Sequence, residues 1–523
     1  MNFELESPVS VITATRSSGS LRFVDLETVK PLSEALSLAP PDFALKNKVL
    51  PLYLEGDVLV VAIPSEASLG AVDDLGVLIE RPIRAVLADP LLINNLIEER
   101  FIEGMLAGLP QQDEGTYTEI DENADLNDLQ QMAAESAVVQ MVNLIFSQAI
   151  RDNASDIHIE PYERELRVRC RMDGIMHEVI RPPKRMHAAL ISRLKILAEL
   201  NIAERRLPQD GRIKLQISGR AVDVRISIVP TIYGERAVMR ILDKGSSIVG
   251  LEEIGMAPDI LTRFRRLIRQ PHGMVLVTGP TGSGKSTTLY GGLTELTSPT
   301  TNILTIEDPV EYQIFGVGQI QVRPAIGLTF ANGLRSIVRQ DPDIIMVGEI
   351  RDHETAEIAI HAALTGHMVF STLHTNDSAG AITRLLDMGV EPFLAASSII
   401  AVVAQRLVRR NCPNCSKPAA EDEVSATIGI STQDLKGRHL IRGTGCEKCA
   451  GTGFKGRVGL YELLVIDEAI KKMITDHAPA STIKNYATEH LHMRTLVEDG
   501  RRTVLNGLTT AEEVLRVCQR EEL

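Results

Sequence analysis

The spacing of hydrophobic positions predicts different kinds of sheet in successive parts of the chain. Across Leu166–Ile180 and several segments up to about residue 242, apolar residues recur at every second position, which indicates antiparallel strands with one buried face. From about Ser246 onward, short apolar runs such as Met274–Thr278 and Ile344–Val347 alternate with segments of helical spacing. Apolar strands separated by helices are typical of a mostly parallel α/β sheet covered on both faces.

The N-terminal region has its own pattern. Val49–Leu54 and Val58–Ile63 are apolar segments on either side of Glu55-Gly56-Asp57, which predicts two strands joined by a hairpin turn. Helical periodicity surrounds them, so residues 1–105 are predicted to form a small α+β domain. This region contains no candidate nucleophile, metal cluster or phosphate loop, which favours a docking or structural role.

An acidic stretch separates this domain from the rest of the chain. Phe101–Ile150 contains nine acidic residues and no Lys or Arg, and seven of the nine lie in Gln111–Gln130. Such a stretch buries too little apolar surface to offset its ordering entropy, which predicts a flexible linker over residues 106–130. The alternative is an acidic surface loop. The linker would precede a second α+β domain at 131–245 and an α/β domain at 246–523.

Composition narrows the functional classes. A chain of 523 residues is long enough for three or four domains. Its 69 acidic and 55 basic residues give a net charge of −14, which argues against a dedicated nucleic-acid binder. The N-terminus lacks the pattern of a signal peptide, and the apolar stretch Phe393–Val403 is too short to span a bilayer. We therefore expect a cytoplasmic protein.

The segment GPTGSGKST fits the phosphate-loop pattern G-x-x-x-x-G-K-[ST] and follows a predicted apolar strand. Its glycines let backbone N–H groups approach phosphate oxygens, Lys285 supplies a cation to the phosphates, and the Ser286 hydroxyl is a ligand for Mg²⁺. The predicted nucleotide-binding residues are Gly279, Pro280, Thr281, Gly282, Ser283, Gly284, Lys285, Ser286 and Thr287. The alternative, a glycine-rich turn without chemistry, does not account for the full pattern.

Carboxylates that follow two other apolar strands are candidates for the chemistry. Glu349 comes just after Ile344–Val347, at the strand end where parallel sheets bind ligands, and is expected to orient or deprotonate the attacking water. Glu307 and Asp308 follow another apolar strand and are expected to approach the water shell of the metal. For each carboxylate the alternative role is to cap the next helix or turn.

Histidines and arginines are further candidates. His367 and His374 flank the predicted strand Met368–Leu373, and His374 is the better placed to contact the γ-phosphate. Phosphoryl transfer often uses an arginine from another domain or subunit, so Arg212, Arg225 and Arg236 are candidates, with surface ion pairing as the alternative. The basic run Arg263–Arg269 is typical of a solvated helix face, and contact with anionic lipid is its second interpretation.

Two C-x-x-C pairs within residues 411–456 form the second strong motif. Cys412 and Cys415 make the first pair, and Cys446 and Cys449 make the second. Four thiolates are the ligand set of tetrahedral, structural Zn²⁺. Ordinary buried thiols and an iron–sulfur cluster are the alternatives. Cys170 and Cys518 have no such neighbours and are predicted to be packing residues.

Eight segments together resemble the secretion and type IV pilus ATPase superfamily. They are ASDIHIEP, ERRLPQDGRI, GERAVMRIL, GPTGSGKST, TIEDPVEY, RQDPDIIMVGEIRD, TGHMVFSTLHTND and LTTAEEVLRV. The likeness runs from about Ala133 to Val517. The four cysteines resemble assembly-type members, and the single modest domain before the linker is more similar to the type II secretion branch than to the pilus assembly branch.

The resemblance implies a hexameric ring, a PAS-like second domain, a RecA-like C-terminal ATPase domain with a helical region at 457–523, and ATP bound between those domains. It also implies roles for residues outside the phosphate loop. Glu349 would be the catalytic carboxylate, Glu307 and Asp308 an acidic box, and His367 and His374 a histidine box. Arg212 and Arg225 match the region from which family arginines reach the nucleotide.

The function implied is that of a cytoplasmic motor ATPase, peripheral to the inner membrane, which drives pseudopilus assembly and export through a type II secretion system. The N-terminal domain would bind the cytoplasmic domain of an inner-membrane secretion component, and the motor would also contact the inner-membrane platform protein. Alternatives are a type IV pilus assembly ATPase, a nucleic-acid-stimulated RecA-like ATPase and a nucleotide-gated scaffold without turnover.

Overall fold

The computed structural model describes most of the chain after residue 20. The described residues are 21–90 apart from 27, 28, 30, 37, 41, 42, 45 and 46; 92, 93, 96 and 97; 136–243 apart from 218 and 219; 249–419; 423–435; 439–449; and 451–518. The predicted linker at 106–130 lies outside them. Internal contacts divide the chain into two compact units, Met1–Ala124 and Asp125–Leu523.

Eighteen strands occur in the described part of the chain. They are β1 Leu50–Glu55, β2 Val58–Ile63, β3 Ile83–Leu87, β4 Asp156–Pro161, β5 Leu166–Met172, β6 Ile175–Ile180, β7 Gln209–Ile217, β8 Arg220–Thr231, β9 Gly234–Asp243, β10 Gly273–Thr278, β11 Ile303–Glu307, β12 Gly318–Gln321, β13 Ile344–Val347, β14 Met368–Leu373, β15 Ile399–Asn411, β16 Ser416–Ala419, β17 Leu440–Gly443 and β18 Phe454–Val465.

Sixteen α-helices occur in the same described ranges. They are α1 Ser33–Leu36, α2 Leu69–Ile79, α3 Ser136–Arg151, α4 His187–Leu197, α5 Pro258–Ile268, α6 Lys285–Leu296, α7 Phe330–Ile337, α8 His353–Leu364, α9 Ser378–Asp387, α10 Pro392–Ser398, α11 Glu423–Thr427, α12 Thr432–Leu435, α13 Glu468–Thr475, α14 Ala480–His490, α15 Leu496–Leu505 and α16 Ala511–Val517.

The first unit contains the predicted hairpin. β1 and β2 pair antiparallel around Gly56, whose φ of 64° is a conformation that glycine adopts without a steric cost. β3 then pairs parallel to β2 after the crossover helix α2. β2 is buried along almost its whole length, and its apolar side chains form part of the core of this unit.

The first sheet of the second unit is antiparallel and six-stranded, with the order β6-β5-β4-β9-β8-β7. The alternation of apolar and polar residues gives β5 one buried face, as predicted. Leu166, Val168 and Cys170 are buried, whereas the arginines between them are partly exposed. Burial raises the pKa of the Cys170 thiol to about 11, as befits a packing residue.

The second sheet has seven strands in the order β12-β11-β13-β14-β10-β15-β18, and only β18 pairs antiparallel. Consecutive residues of β10 enter two separate cores. Met274 and Leu276 pack with helices α7–α10, α13 and α14 on one face, while Val275 and Val277 pack with α5 and α6 on the other. The sheet is therefore buried on both faces, as its continuous apolar strands predict. The mixed α/β fold class is confirmed.

Within the described residues, no helix combines the length and the apolar character needed to cross a membrane.

Candidate nucleotide site and cysteine cluster

The phosphate-loop motif connects β10, an inner strand of the seven-stranded sheet, to the N-terminus of α6. Gly279 and Gly284 both have positive φ, 151° and 87°. A Cβ at Gly279 would lie 2.5 Å from the Gln405 carbonyl oxygen, and one at Gly284 would lie 2.8 Å from the Gln405 side-chain nitrogen. β15 therefore packs against a loop that only glycine allows at these positions. The loop leaves backbone N–H groups at the start of α6, an arrangement suited to anions.

Lys285 is buried beneath this loop. Its ammonium group donates hydrogen bonds to the carbonyl oxygens of Gly279 and Pro280, at 2.8 and 3.1 Å. Burial lowers the pKa of Lys285 to about 8, although the nearby carboxylate of Glu349 acts in the opposite direction. Both hydrogen-bond acceptors are neutral carbonyl groups, so neither bond brings an anion to the desolvated ammonium group.

A cavity of about 460 Å³ opens over the loop, within the size range of small-molecule sites. Its wall joins the strand ends of the seven-stranded sheet to Arg240 of the six-stranded sheet. The lining side chains include Thr281, Lys285, Ser286, Tyr290, Glu307, Asp308, Glu311, Glu349, Arg351, His374 and Arg457. The structure thus brings the predicted loop, the three predicted carboxylates (Glu307, Asp308 and Glu349) and His374 to one cavity.

Glu349 lies just beyond the end of β13, as predicted, and its side chain is only 14% exposed. One carboxylate oxygen contacts the guanidinium of Arg351, and the other lies 3.2 Å from Nε2 of His374. Both oxygens therefore have a basic partner at the edge of the cavity. Arg351 and His374 are the more exposed members, with 63% and 47% of their side chains accessible.

Glu307 lines the cavity, and hydrogen bonds hold its carboxylate from the protein side. It is the last residue of β11, and its carboxylate accepts hydrogen bonds from Thr305 Oγ1 at 2.6 Å, from Gln319 Nε2 at 3.0 Å and from the Tyr290 hydroxyl. These donors hold Glu307 within the protein, and the Tyr290 ring also lines the cavity. Asp308, one residue later, lines the cavity without such an enclosure.

The candidate arginines separate into two groups. Strand register places Arg212 of β7, Arg225 of β8 and Arg240 of β9 side by side. This row lines a groove that adjoins the cavity at Asp308 and Pro309. Burial and the neighbouring Arg212 lower the pKa of Arg225, and its buried Nε has no hydrogen-bond partner within the described residues.

Arg236 belongs to the second group. Its guanidinium lies 2.6 Å from a carboxylate oxygen of Glu160, which Arg169 also contacts. Arg236 therefore takes part in ion pairs, which was the alternative interpretation for the candidate arginines.

His367 lies away from the cavity. His367 precedes β14 and His374 follows it. The two residues therefore lie at opposite ends of this strand, about 20 Å apart for a strand of this length. The Nδ1 atom of His367 is 2.9 Å from the carbonyl oxygen of Ala362, near the end of α8. The structure therefore does not bring the two histidines together.

The four cysteines of the two C-x-x-C pairs converge. Their sulfur atoms all lie within 4.8 Å of one another. The Cys412–Cys446, Cys415–Cys449 and Cys446–Cys449 sulfur pairs are 3.9, 3.8 and 3.7 Å apart. A tetrahedron of thiolates around zinc, with bonds of about 2.3 Å, has edges of about 3.8 Å. The donor set and its spacing therefore fit one tetrahedral metal ion.

Comparison with known proteins decides the family. The model of the type II/IV secretion system protein family matches residues 131–516, and the MshEN domain model matches residues 20–105. The chain belongs to the type II/IV secretion system protein family. As a member of this family of secretion ATPases, the chain is an ATP-hydrolysing enzyme.

Two relatives illustrate the range of the family. The type IV pilus assembly ATPase PilB of Myxococcus xanthus is 45% identical over 92% of this chain and 86% of its own length. The type II secretion system protein E of Dickeya dadantii is 43% identical over 93% of this chain and 98% of its own length. The X-ray structure of the Legionella pneumophila ATPase DotB shares the fold, with a TM-score of 0.53, 21% identity, and coverage of 72% of this chain and 95% of that chain.

The cavity-lining residues that sequence reasoning missed include Arg240, Tyr290, Glu311, Arg351 and Arg457. One of them had a usable signal. Arg240 has the same strand periodicity as its predicted neighbours, and the β8–β9 register sets it directly opposite Arg225. Arg457 had none, because its place depends on how β18 pairs with β15 after a long intervening module.

Proposed function

We propose that this ATPase hydrolyses ATP in the cavity over residues 279–287 and drives a type II secretion system. The observation that carries the proposal is the convergence of the loop, Lys285 and Glu349 in one cavity with Arg240 from the other sheet. Gly279–Thr287 would hold the triphosphate. Ser286 would be the protein ligand of Mg²⁺, which supplies charge neutralisation to the phosphates when bound.

Glu349 is the proposed residue for water. Its carboxylate lies at the cavity edge and carries two basic partners, so it is already oriented before substrate arrives. An oriented carboxylate can accept a hydrogen bond from water and direct the oxygen lone pair towards phosphorus. His374, through Nε2, would hold the second carboxylate oxygen and sense the γ-phosphate. Asp308 would act beside them, while Glu307 would position Tyr290 and the end of β11.

Arg212 and Arg225 are proposed to stabilise the charge on the transferred phosphoryl group, with Arg240 as a further member of the row. Arginine cations brought to a phosphoryl group from another part of a protein accelerate transfer by about 10³–10⁵-fold. The support is the desolvated state of Arg225, whose pKa is lowered by burial and by Arg212. An incoming anion would stabilise a desolvated guanidinium that lies next to a second cation.

We expect ATP binding to be coupled to proton uptake by Lys285. Burial lowers the pKa of this ammonium to about 8 in the nucleotide-free protein, and a neighbouring phosphate would raise it. Above pH 8 the free protein is largely deprotonated at this site, so binding requires a proton and weakens as pH rises. The apparent Kd should increase by up to about tenfold per pH unit between pH 8 and 9.

The measurement is titration calorimetry with a non-hydrolysable ATP analogue in two buffers of different ionisation enthalpy. The heats at pH 8.5 should differ by the enthalpy of more than half a proton. Lys285→Arg is the matched variant, because a guanidinium does not titrate in this range. Equal heats in both buffers, with binding intact in the wild-type protein, would contradict the assignment.

The cysteine cluster is proposed to hold one structural Zn²⁺. Four thiolates leave no open coordination position, so the ion would stabilise the fold of residues 411–456 without contacting substrate. The support is the sulfur spacing and the burial of Cys412, Cys415 and Cys449.

The choice of secretion over pilus assembly rests on domain organisation. The chain spans 98% of a type II secretion protein E at 43% identity, and a smaller share, 86%, of the pilus ATPase PilB. Pilus assembly is nevertheless the second candidate, because the identity to PilB is 45%. A deletion distinguishes them. Removing the gene should abolish exoprotein secretion and leave twitching motility intact, whereas the opposite phenotype would establish the pilus assignment.

The proposed assembly is a homo-hexamer on the cytoplasmic face of the inner membrane. The N-terminal domain would bind the cytoplasmic domain of an inner-membrane component, and the motor would contact the platform protein. The basic helix α5 has less positive charge available to bind anionic phospholipid than its sequence predicts, because Arg265 pairs with Glu295 and Glu252. The domain limits proposed are 1–105, 131–245 and 246–523, with no nucleic-acid partner.

A further inference from the structure

One carboxylate of the six-stranded sheet reaches the start of β18. Asp173 lies in the turn between β5 and β6, and its Oδ2 accepts a hydrogen bond of 2.9 Å from the backbone N–H of Gly456. Its Oδ1 lies 3.7 Å from Nε of Arg457. The same side chain therefore contacts the backbone of one residue and the guanidinium of the next, across 283 positions of sequence.

This contact lies between two cavities. Arg457 lines the nucleotide cavity together with Lys285 and Arg240. Asp173 and Gly456 line a second cavity of about 400 Å³, whose wall includes Cys449 of the cysteine cluster. Asp173 is thus placed between the segment that leaves the cysteine cluster and the site where the phosphates are proposed to bind.

We propose that Asp173 is a positioning residue for ATP binding, which orients Arg457 towards the nucleotide. The proposal rests on the proposed nucleotide site. An arginine side chain has many rotamers, and a carboxylate partner that also fixes the neighbouring backbone restricts them before ATP arrives. Preorganisation of this kind increases affinity, because less conformational entropy is lost on binding. Asp173 itself contacts no nucleotide and takes no part in the chemical step.

Exposure separates this role from a purely structural one. The side chains of Asp173 and Arg457 are 32% and 43% exposed. Ion pairs of this exposure contribute little to the stability of a folded protein. Loss of Asp173 should therefore change the affinity for ATP and leave the melting temperature almost unchanged. A contact that mattered only for folding would show the opposite pattern.

The test measures ATPase kinetics and thermal unfolding of the full-length chain. Asp173→Ala should raise the KM for ATP about tenfold, with kcat within about twofold of the wild-type value, since a ground-state contact is lost. Asp173→Asn keeps an oxygen for the Gly456 N–H and loses the charge. Its KM should therefore lie between those of the wild-type protein and Asp173→Ala. Melting temperatures should agree within about 2 °C. Asp152→Ala is the matched control, because Asp152 lines the same second cavity and its carboxylate accepts a hydrogen bond from Nε2 of Gln148.

A double-mutant cycle tests whether Asp173 acts through Arg457. Adding Asp173→Ala to Arg457→Ala should not raise KM further, because the oriented group is already absent. Equal effects of Asp173→Ala in both backgrounds would overturn the proposal, as would a lowered melting temperature with unchanged KM in both Asp173 variants. If the wild-type protein itself did not hydrolyse ATP, the proposed site would fail independently of Asp173.

Discussion

Glu349→Gln is expected to lower the rate of ATP hydrolysis by about 10²–10⁴-fold, the usual contribution of a positioned general base. The glutamine amide has nearly the same shape, so the fold and the phosphate loop should persist. The Arg351 contact that it weakens is largely exposed on the arginine side and contributes little to stability. ATP affinity should therefore stay within about threefold of the wild-type value.

Two measurements on the same preparations check this result: phosphate release for turnover, and a fluorescent ATP analogue for affinity. Glu357→Gln is the matched control, because Glu357 is a half-exposed residue of the nearby helix α8 and does not line the cavity. Its turnover should equal that of the wild-type protein. Normal hydrolysis by Glu349→Gln would refute the base assignment, and loss of binding would assign Glu349 to nucleotide affinity instead.

Replacing Cys446 and Cys449 together with Ser is expected to release about one Zn²⁺ per chain and to unfold residues 411–456 locally. Structural zinc sites contribute on the order of 10 kcal/mol of apparent binding free energy at neutral pH, and two hydroxyls do not replace two thiolates. The loss exceeds what the small apolar core of this module can offset. Its residues Ile428, Ile430 and Leu440 also pack against the C-terminal helices, so those helices should become less stable as well.

Metal analysis and limited proteolysis measure the two consequences. The double variant should contain less than a tenth of the wild-type zinc, and new cleavage should occur within residues 411–456. Cys170→Ala provides the control, because Cys170 is buried in β5, outside the cysteine cluster, and its replacement should leave the zinc content unchanged. Wild-type protein that contained iron, or no metal after purification in zinc-supplemented medium, would rule out the structural zinc site.

Local sequence was sufficient wherever a function depends on consecutive residues. The loop between β10 and α6 was predictable because glycine positions, a lysine and a hydroxyl at fixed spacing are a direct requirement of phosphate binding. The strand Ile344–Val347 was predicted with its observed bounds, and Glu349 follows it by simple chain continuity. The C-x-x-C pairs were predictable for the same reason, since each pair presents two sulfurs from a single turn.

Long-range pairing decided the rest. Glu307 and Glu349 both lie at the carboxyl ends of apolar strands. Only Glu307 is enclosed, because Tyr290 of α6 and Gln319 of β12 reach its carboxylate from elsewhere in the chain. His367 and His374 are close in sequence but lie far apart, because the extended strand β14 runs between them and places them at its opposite ends.

The sequence by itself determined the phosphate loop, the cysteine ligand set, the alternation of buried strands and helices, and the family resemblance. The tertiary structure alone decided that Arg212, Arg225 and Arg240 form one row, and that Asp173 meets Arg457. The physical reason is that spacing along the chain fixes only local conformation. Which side chains face one cavity depends on strand register and on the packing of one sheet against the other, and both arise from contacts between distant residues.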